Sequence, residues 1–319
     1  MPEVVLVVDI GGTKTTVGVA DRADAVLAAA TAPTPAAEGP DAVVRTVVAL
    51  AATVMAQEGV VVACGLGVAT AGVVDVSRGT IVSSTDTMAG WPGTELAARL
   101  REALGDLLAR TAPVHVQNDV DAHALGEFRH GAAAGARSAL VVAVGTGVGA
   151  GIVIEGRVLR GAHHVAGEIA HMPVPGAEHL RCPCGRGGHL EAIGSGVGMH
   201  RHYLSLGGDP VAPDARGVVA RAREGDPLAR RALAESAAAV GRGIAGAVTL
   251  LDPERVVVTG GVAQIGDDWL APLRAAYREE VIDVLHDVVI TPGVLAGDAP
   301  LRGAAASVWE IWKEREDAA

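Results

Sequence analysis

The chain has 319 residues and a formal net charge of −11, which argues against sequence-independent binding to nucleic acid and against attraction to an anionic membrane surface. Hydrophobic residues make up 50% of it but aromatic residues only 2%, so the core must be aliphatic, as in α/β proteins with buried valine-rich strands. This length allows two domains or one large domain, and no apolar run is long enough to cross a bilayer.

The N-terminus and the cysteine content predict a cytoplasmic protein. The first residues, MPEVVLVVDIGG, contain an acidic residue and no basic segment, unlike a secretory signal peptide. The chain has 3 cysteines, Cys64, Cys182 and Cys184, and this low number indicates a reducing compartment. In such a compartment, closely spaced thiols are metal ligands or redox groups rather than disulfides.

Two segments of the chain repeat one design. Residues 4–21, VVLVVDIGGTKTTVGVAD, and residues 139–156, ALVVAVGTGVGAGIVIEG, each predict a strand, a glycine-rich corner and a second strand. A short third strand follows each hairpin, at residues 25–31 and 157–161. The repeat therefore predicts two halves of related build.

Each half continues with alternating helices and strands, and glycines such as Gly59 and Gly105 mark helix ends. The predicted helices are residues 41–59, 94–105, 121–133, 227–251 and 304–317, and the predicted strands are residues 60–69, 114–119, 255–261 and 287–293. No low-complexity linker separates the halves, so we place the boundary at a hinge near residues 117–120. The predicted domains are residues 1–117 with the returning C-terminal segment 303–319, and residues 118–302.

The two glycine corners have the composition of anion-binding turns. Glycines let backbone N–H groups approach a phosphate without interference from Cβ atoms. The first corner, Asp9-Ile10-Gly11-Gly12-Thr13-Lys14, adds a carboxylate for Mg²⁺, a hydroxyl and an ammonium group, and the second is Gly145-Thr146-Gly147-Val148-Gly149. One such corner is equally well explained as a tight hairpin turn, whereas two matching corners favour a shared ligand.

Two other nucleotide-binding motifs do not fit these corners. Thr13 stands where the Walker motif requires glycine before its lysine. Residues 145–150 satisfy the loose dinucleotide-binding pattern, but that pattern requires a helix next, and the following residues, AGIVIEG, predict a strand.

Asn118 and Asp119 lie where a predicted strand meets a predicted helix. Both residue types cap helices well, and capping alone would explain them. The functional alternative is that Asp119 takes the proton of a substrate hydroxyl while Asn118 hydrogen-bonds a neighbouring hydroxyl. Phosphoryl transfer depends mainly on positioning and charge neutralisation, so one carboxylate beside the nucleophile suffices.

The stretch CPCGRGGHLE, residues 182–191, concentrates metal-binding side chains. It contains Cys182, Cys184, His189 and Glu191, and His171 lies just upstream in GEIAH. Either the stretch is a flexible loop that carries thiols, or it binds a metal ion.

Four motifs occur in the order Asp9-x-Gly-Gly-Thr, Asn118-Asp119, Gly167-Glu168-Ile169-x-His171 and Cys182-x-Cys184-Gly185-x-x-Gly188-x-x-Glu191. In this order they resemble the ROK family (repressors, open reading frames and kinases), which contains bacterial glucokinases and related sugar kinases. The likeness spans nearly the whole chain, and the last motif is highly specific to the family. It implies an α/β fold of the actin-like, ribonuclease-H-like ATPase type, with two related domains around a central cleft.

The resemblance also implies ligands and their binding residues. ATP with Mg²⁺ would lie across both glycine corners, and a hexose would lie between the domains. The implied nucleotide-binding residues are Asp9, Gly11, Gly12, Thr13, Lys14, Gly145, Thr146, Gly147, Gly260 and Gly261. The implied sugar-binding residues are Gly72, Asn118, Asp119, Glu168, His171 and Glu191, with Asp119 as the catalytic base.

The family holds a structural zinc ion with one histidine and three cysteines. Carried over, the ligands are His171, Cys182 and Cys184, and His189 stands at the position of the third cysteine. Zinc accepts a Cys₂His₂ set readily, so the resemblance implies a zinc site with altered affinity. The alternative is that His189 points away and leaves three ligands or an empty site.

The leading functional expectation is an ATP-dependent hexose kinase, a glucokinase that forms the sugar 6-phosphate. The alternative within the kinases is an N-acetylmannosamine or N-acetylglucosamine kinase. Outside the kinases, the alternative is a sugar-responsive regulator or a non-catalytic sugar-binding protein. Family repressors carry an N-terminal helix-turn-helix, for which the first corner, beginning at residue 11, leaves no room. The expected partners are ATP and a hexose, without nucleic acid or membrane, and the resemblance implies a homodimer or homotetramer.

Overall fold

The structure is a computed structural model that describes residues 3–84 and 88–317; the outer ends of the predicted domains, residues 1–2 and 318–319, lie outside the described residues. The chain forms two compact units. The first contains Met1–Gly135, Gly151–Ala166 and Leu295–Ala319, and the second contains Ala136–Ala150 and Gly167–Val294. The sequence-based division placed residues 118–135 in the second domain, whereas these residues belong here to the unit of the N-terminal strands. The predicted domain boundaries stay a prediction.

Strands and helices alternate along both units. The strands are β1 Val5–Ile10, β2 Lys14–Ala20, β3 Val26–Pro33, β4 Leu66–Thr70, β5 Val73–Asp75, β6 Thr80–Ser83, β7 Val114–Asn118, β8 Ser138–Val144, β9 Val148–Ile154, β10 Arg157–Val158, β11 Arg255–Thr259 and β12 Ile290–Pro292. The helices are α1 Pro40–Gln57, α2 Leu96–Leu104, α3 Asp119–His130, α4 Glu191–Gly194, α5 Gly196–Ser205, α6 Ala215–Glu224, α7 Pro227–Leu251, α8 Asp267–Glu280 and α9 Ala299–Asp317.

The first unit is built on a five-stranded sheet of order β3-β2-β1-β4-β7. The hairpin strands β1, β2 and β3 are antiparallel, whereas β4 and β7 continue parallel to β1. Successive side chains of a strand point to opposite faces, so Leu6 and Val8 join the core that contains α1 and α2. Val5 and Val7 instead pack against Val308 of α9 on the other face. Both faces are therefore buried, as the continuous apolar run of β1 predicts.

The second sheet repeats this arrangement, with the order β10-β9-β8-β11-β12. In the second unit, β11 pairs in parallel with both β8 and β12. Strand β9 belongs to this unit up to Ala150, and its later residues pair antiparallel with β10 in the first unit. The two hairpins and their short third strands confirm the internal repeat predicted from the sequence.

The predicted elements are mostly present, with shifted ends. The helix expected at residues 121–133 begins two residues earlier, at Asp119, and ends at His130. The strand expected at residues 60–69 was wrong in its first half, because β4 begins only at Leu66. Val61 and Val62, which made that segment look like strand, are exposed. Within residues 3–84 and 88–317, no helix is both long enough and apolar enough to cross a membrane.

Candidate active site

The first glycine corner is a closed turn between β1 and β2. The backbone N–H of Gly11 donates to the carbonyl oxygen of Lys14 at 3.0 Å, which closes the hairpin. Thr34, just after β3, donates its hydroxyl to the carbonyl oxygen of Gly11 at 2.7 Å, and its own N–H bonds to the oxygen of Thr13 at 3.0 Å. Thr34 therefore stabilises the conformation of the corner through two hydrogen bonds, while the side chains of Thr13 and Lys14 remain exposed.

Asp9 and Asp119 interact electrostatically in the first unit. Burial, and then the negative charge of Asp119, raise the pKa of Asp9 to about 7, while Lys14 acts in the opposite direction. Burial likewise raises the pKa of Asp119, against the hydrogen bond that its carboxylate accepts from the N–H of Val120 at 2.9 Å. Two desolvated carboxylates, one of which raises the pKa of the other, form a site suited to a cation or to a proton transfer.

The register of the parallel strands brings these residues to one edge of the sheet. Ile10 of β1 pairs with Thr70 of β4, and Thr70 pairs with Asn118 of β7. Asp9 therefore lies near the carboxyl end of β1, and Asp119 directly follows the carboxyl end of β7. Ligand sites of parallel α/β sheets lie at this edge.

Asn118 fixes the start of α3 and the turn after β4. Its side-chain oxygen accepts from the N–H groups of Val120, at 2.8 Å, and Asp121, at 3.3 Å, so it is the N-cap of the helix. Its amide nitrogen donates to the carbonyl oxygen of Gly72 at 2.9 Å. The capping alternative is thus confirmed for Asn118, and it leaves Asp119 in the first helical position. Gly72 has φ +102°, and an added Cβ would lie 2.7 Å from the Ser83 oxygen, so this turn requires glycine.

The second glycine corner and the Gly260–Gly261 turn adjoin each other in the second unit. The N–H of Gly145 donates to the oxygen of Gly147 at 2.9 Å. Gly260 has φ +91°, and a Cβ there would lie 2.4 Å from the oxygen of Val144, the residue before Gly145. In contrast, a Cβ added to Gly145 or Gly261 would meet nothing within 4 Å. The two turns thus leave open space beside the backbone at the carboxyl ends of β8 and β11, which suits the close approach of a nucleotide phosphate.

Glu191 and Glu168 lie beside these elements. Glu191, the first residue of α4, accepts a hydrogen bond through Oε2 from the N–H of Val148 at 3.0 Å. Glu168 is exposed, and its Oε2 lies 3.6 Å from Nε2 of His171. His171 therefore presents one ring nitrogen to a carboxylate and the other, Nδ1, to the sulfur of Cys182 at 3.7 Å.

The four predicted zinc ligands converge. One donor atom from each of His171, Cys182, Cys184 and His189 lies within 4.8 Å of all the others. Nδ1 of His189 lies 3.2 Å from the sulfur of Cys184. A tetrahedral zinc ion, with bonds of about 2.3 Å to sulfur and about 2.0 Å to nitrogen, holds its donors roughly 3.3–3.8 Å apart, so these side chains fit the ion. Burial raises the pKa of the Cys182 thiol to about 11, whereas the backbone N–H of Arg186 lowers that of Cys184.

Each unit thus holds its own part of the predicted site. In the first unit, the structure groups Asp9 through Lys14, Gly72, Asn118 and Asp119. In the second, it groups residues 145–147, Gly260 and Gly261, the two glutamates and the four metal-binding side chains. The sequence did not predict the roles of Thr34 and Val148. The only signal for Thr34 was the third strand of the repeated design, which returns the chain to the corner.

Comparisons with known proteins identify the family to which the chain belongs. The family model described as ROK family matches residues 5–311. The chain belongs to the ROK family. The solved ROK structures share its fold across almost the whole chain, which confirms the predicted actin-like α/β fold class.

Several ROK relatives are close in sequence. A glucokinase of Streptomyces coelicolor is 32% identical over 292 residues, which cover 86% of this chain and 87% of the relative. The ROK hexokinase of Thermus thermophilus superimposes with a TM-score of 0.84 at 33% identity, covering 98% of this chain and 99% of that one. A ROK family glucokinase of Streptomyces griseus in complex with glucose and AMPPNP gives a TM-score of 0.78 at 30% identity, covering 95% and 98%.

Proposed function

We propose that the protein is an ATP-dependent hexose kinase, a glucokinase that transfers the γ-phosphoryl group of ATP to the 6-hydroxyl of glucose in the cytoplasm, as a homodimer or homotetramer. The observation that carries this proposal is the placement of two buried carboxylates, Asp9 and Asp119, at the carboxyl ends of β1 and β7, where the charge of Asp119 acts on Asp9. The similarity to ROK glucokinases, one of them bound to glucose and an ATP analogue, supports the choice of substrates.

Asp119 is the proposed general base. The Asn118 cap sets the start of α3, and Oδ1 of Asp119 accepts a hydrogen bond from the N–H of Val120, so we assign Oδ2 to the substrate hydroxyl. The raised proton affinity that comes with burial favours uptake of the hydroxyl proton as the new O–P bond forms. The proton leaves the 6-hydroxyl for the Asp119 carboxylate, and ADP departs with the electron pair of the broken bond.

Asp9 is the proposed carboxylate for Mg²⁺. Carboxylate oxygens are ligands that Mg²⁺ prefers, and the bound ion neutralises charge that develops on the phosphates. Lys14 adds an exposed positive charge beside the same corner. The open glycine turns at Gly145 and Gly260–Gly261 would supply backbone N–H groups to the nucleotide.

Sugar hydroxyls are the proposed partners of Glu168, Glu191, Asn118 and the Gly72 turn. Ionised carboxylates only accept hydrogen bonds. Glu168 and Glu191 can therefore orient sugar hydroxyl groups that donate their O–H to them. His171 would add a donor through Nε2 while Nδ1 faces the metal cluster. The zinc ion would be structural, because a Cys₂His₂ set fills all four tetrahedral positions and leaves none for substrate.

The test is a panel of sugars at fixed ATP, with the product and its phosphate position identified by mass spectrometry and NMR. We expect glucose 6-phosphate as the preferred product. Preferred phosphorylation of N-acetylmannosamine or N-acetylglucosamine would replace the glucokinase assignment with the alternative kinase. Sugar binding without ATP consumption would instead support a regulator or a sugar-binding protein and overturn the kinase proposal.

A matched pair of variants tests the role of Asp119. Asp119→Asn should lower kcat by about 10²- to 10⁴-fold, the usual contribution of a general base, while sugar affinity measured by calorimetry stays near that of the wild type. Asp106→Asn, which changes an exposed aspartate of the same unit, should leave both quantities unchanged. Near-normal turnover in Asp119→Asn would exclude the base assignment.

A further inference from the structure

Arg160 connects two segments that flank the Asn118–Asp119 corner. It follows β10 in the first unit, and its guanidinium nitrogen Nη2 donates to Oε1 of Gln117 at 2.8 Å. Its Nε lies 3.8 Å from Oδ2 of Asp121. Gln117 is the last residue but one of β7, and Asp121 lies in the first turn of α3. A single side chain therefore spans the bend that presents Asp119.

The cluster around Arg160 is buried and continues to α9. Gln117 is fully buried, and its amide nitrogen donates to the hydroxyl of Ser307 at 2.9 Å. The Asp121 side chain is 11% exposed and that of Arg160 is 26% exposed. The Nε atom of Arg160 is buried and has no hydrogen-bond partner within the described parts of the chain. The carboxylates of Asp121, 3.8 Å from Nε, and of Glu310 both act on its positive charge.

This geometry differs from that of an ordinary ion pair. Gln117 fixes the end of the strand before the corner, and Asp121 fixes the helix turn after it. The guanidinium group is planar and rigid, and its several donors point in set directions, so it can hold both partners at one separation. A lysine has a single point charge on a flexible stem and cannot bridge them in the same way.

We propose that Arg160 is a positioning residue for Asp119, which holds the strand–helix corner at the angle that aims the carboxylate at the substrate hydroxyl. Arg160 itself touches no reacting group in this assignment; it acts through Gln117 and Asp121. The inference rests on the proposed kinase activity, in which Asp119 is the base. Placing a reacting group wrongly by about 1 Å can cost about 100-fold in rate, so a small rotation of the corner is sufficient to be measured.

The experiment compares Arg160→Gln and Arg160→Lys with the wild type in steady-state phosphorylation of glucose. We expect Arg160→Gln to lower kcat by about 10- to 100-fold and to leave the glucose KM within about threefold. Arg160→Lys, which retains charge and most of the packing, should recover part of the loss in kcat. The exposed Arg157, three residues earlier, provides the matched control Arg157→Gln, which should behave as the wild type.

A double-variant cycle separates positioning from a general loss of stability. In the Asp119→Asn background, Arg160→Gln should change the residual rate by less than about threefold, because the base it positions is absent. An equal loss in both backgrounds, or a folded Arg160→Lys protein with normal kcat, would overturn the proposal. The same holds if Arg160→Gln shifts only the thermal midpoint. A wild-type protein that phosphorylates no sugar would instead refute the proposed function itself.

Discussion

Glu191 accepts a hydrogen bond from the backbone N–H of Val148, with 3.0 Å between Oε2 and the nitrogen. Val148 belongs to the second glycine corner and is the first residue of β9, and a Cβ on Gly147 would lie 2.8 Å from the same carboxylate oxygen. The residue proposed to bind a sugar hydroxyl therefore also contacts the turn proposed to bind phosphate. Within the second unit, the two parts of the site are mechanically connected through one side chain.

We expect Glu191→Gln to weaken the binding of both substrates. Losing a hydrogen bond to a charged group costs about 1.5–3 kcal/mol, so the glucose KM should rise by roughly 10- to 100-fold. Because the glycine turn loses its charged acceptor, the ATP KM should rise as well, by a smaller factor. Initial-rate measurements that vary each substrate in turn give both values, and Glu279→Gln, at an exposed site of the same unit, is the control. An unchanged ATP KM would show that the hydrogen bond between Glu191 and Val148 does not contribute to nucleotide binding.

The metal cluster predicts that His189 is a true ligand. The wild-type protein should contain about one zinc ion per chain, measured by elemental analysis after dialysis against a weak chelator. His189→Ala should lose most of this zinc, whereas His189→Cys should retain it, because zinc accepts both donor types. Each variant should also be less stable to heat in proportion to its zinc loss, since bound metal stabilises the folded state.

His179 provides the control for the zinc measurement. It is an exposed histidine of the same loop and is not a member of the cluster. His179→Ala should therefore keep the zinc content of the wild type. Full zinc occupancy in His189→Ala would instead favour the three-ligand alternative, in which His189 does not bind the ion.

The sequence predicted most of the fold because its signals were local. The apolar runs of β1 and β8 end in glycine corners. A strand that ends at such a corner can be predicted from the pattern of five or six neighbouring residues. The Cys-x-Cys spacing and the family likeness similarly predicted the His171, Cys182, Cys184 and His189 cluster. The parallel pairing of β1, β4 and β7 could not be predicted in the same way, since it joins residues that lie more than 40 positions apart.

The residues that support the site could not be predicted either, because their contacts also join distant positions of the chain. Thr34 lies 23 positions after Gly11, and Arg160 lies 43 positions after Gln117. Neither residue belongs to a recognisable sequence motif. Each makes its contact only because it follows a third strand that pairs with its hairpin in the folded protein. Residues 60–65 show the opposite failure, because a run of valines predicted a strand although Val61 and Val62 are exposed.

His115 predicts a specific loss of stability in mild acid. Burial, and then the positive charge of Arg160, lower the pKa of this β7 residue from 6.5 to about 4 in the folded protein. The unfolded chain therefore binds more protons between these values, so the contribution is fully present above about pH 6.5 and is lost as the pH falls towards 4. The difference between pKa 6.5 and about 4 corresponds to at most roughly 3.4 kcal/mol of stability.

The measurement for His115 is denaturant unfolding at a series of pH values from 7 to 4. Carboxylates also titrate in this range, so the informative quantity is the difference between the wild type and His115→Gln. That variant keeps a polar side chain of similar size but has no proton to gain. Its free energy of unfolding should fall less steeply with decreasing pH, and parallel curves for the two proteins would contradict the buried neutral state of His115.

The close packing of α3 on α9 predicts that alanine in place of Gly303 destabilises the protein. An added Cβ would lie 1.7 Å from the carbonyl oxygen of Ala122, and this oxygen is backbone that cannot rotate away. Alanine improves helix propensity by about 1 kcal/mol, but overpacking costs about 1–3 kcal/mol, and a backbone clash belongs at the upper end of that range. We therefore expect Gly303→Ala to lower the free energy of unfolding by about 1–2 kcal/mol in urea denaturation. Gly297→Ala is the matched control, because a Cβ there meets nothing within 4 Å, and it should leave stability unchanged or slightly raised. If both variants were equally stable, α9 would have to be free to move away from α3.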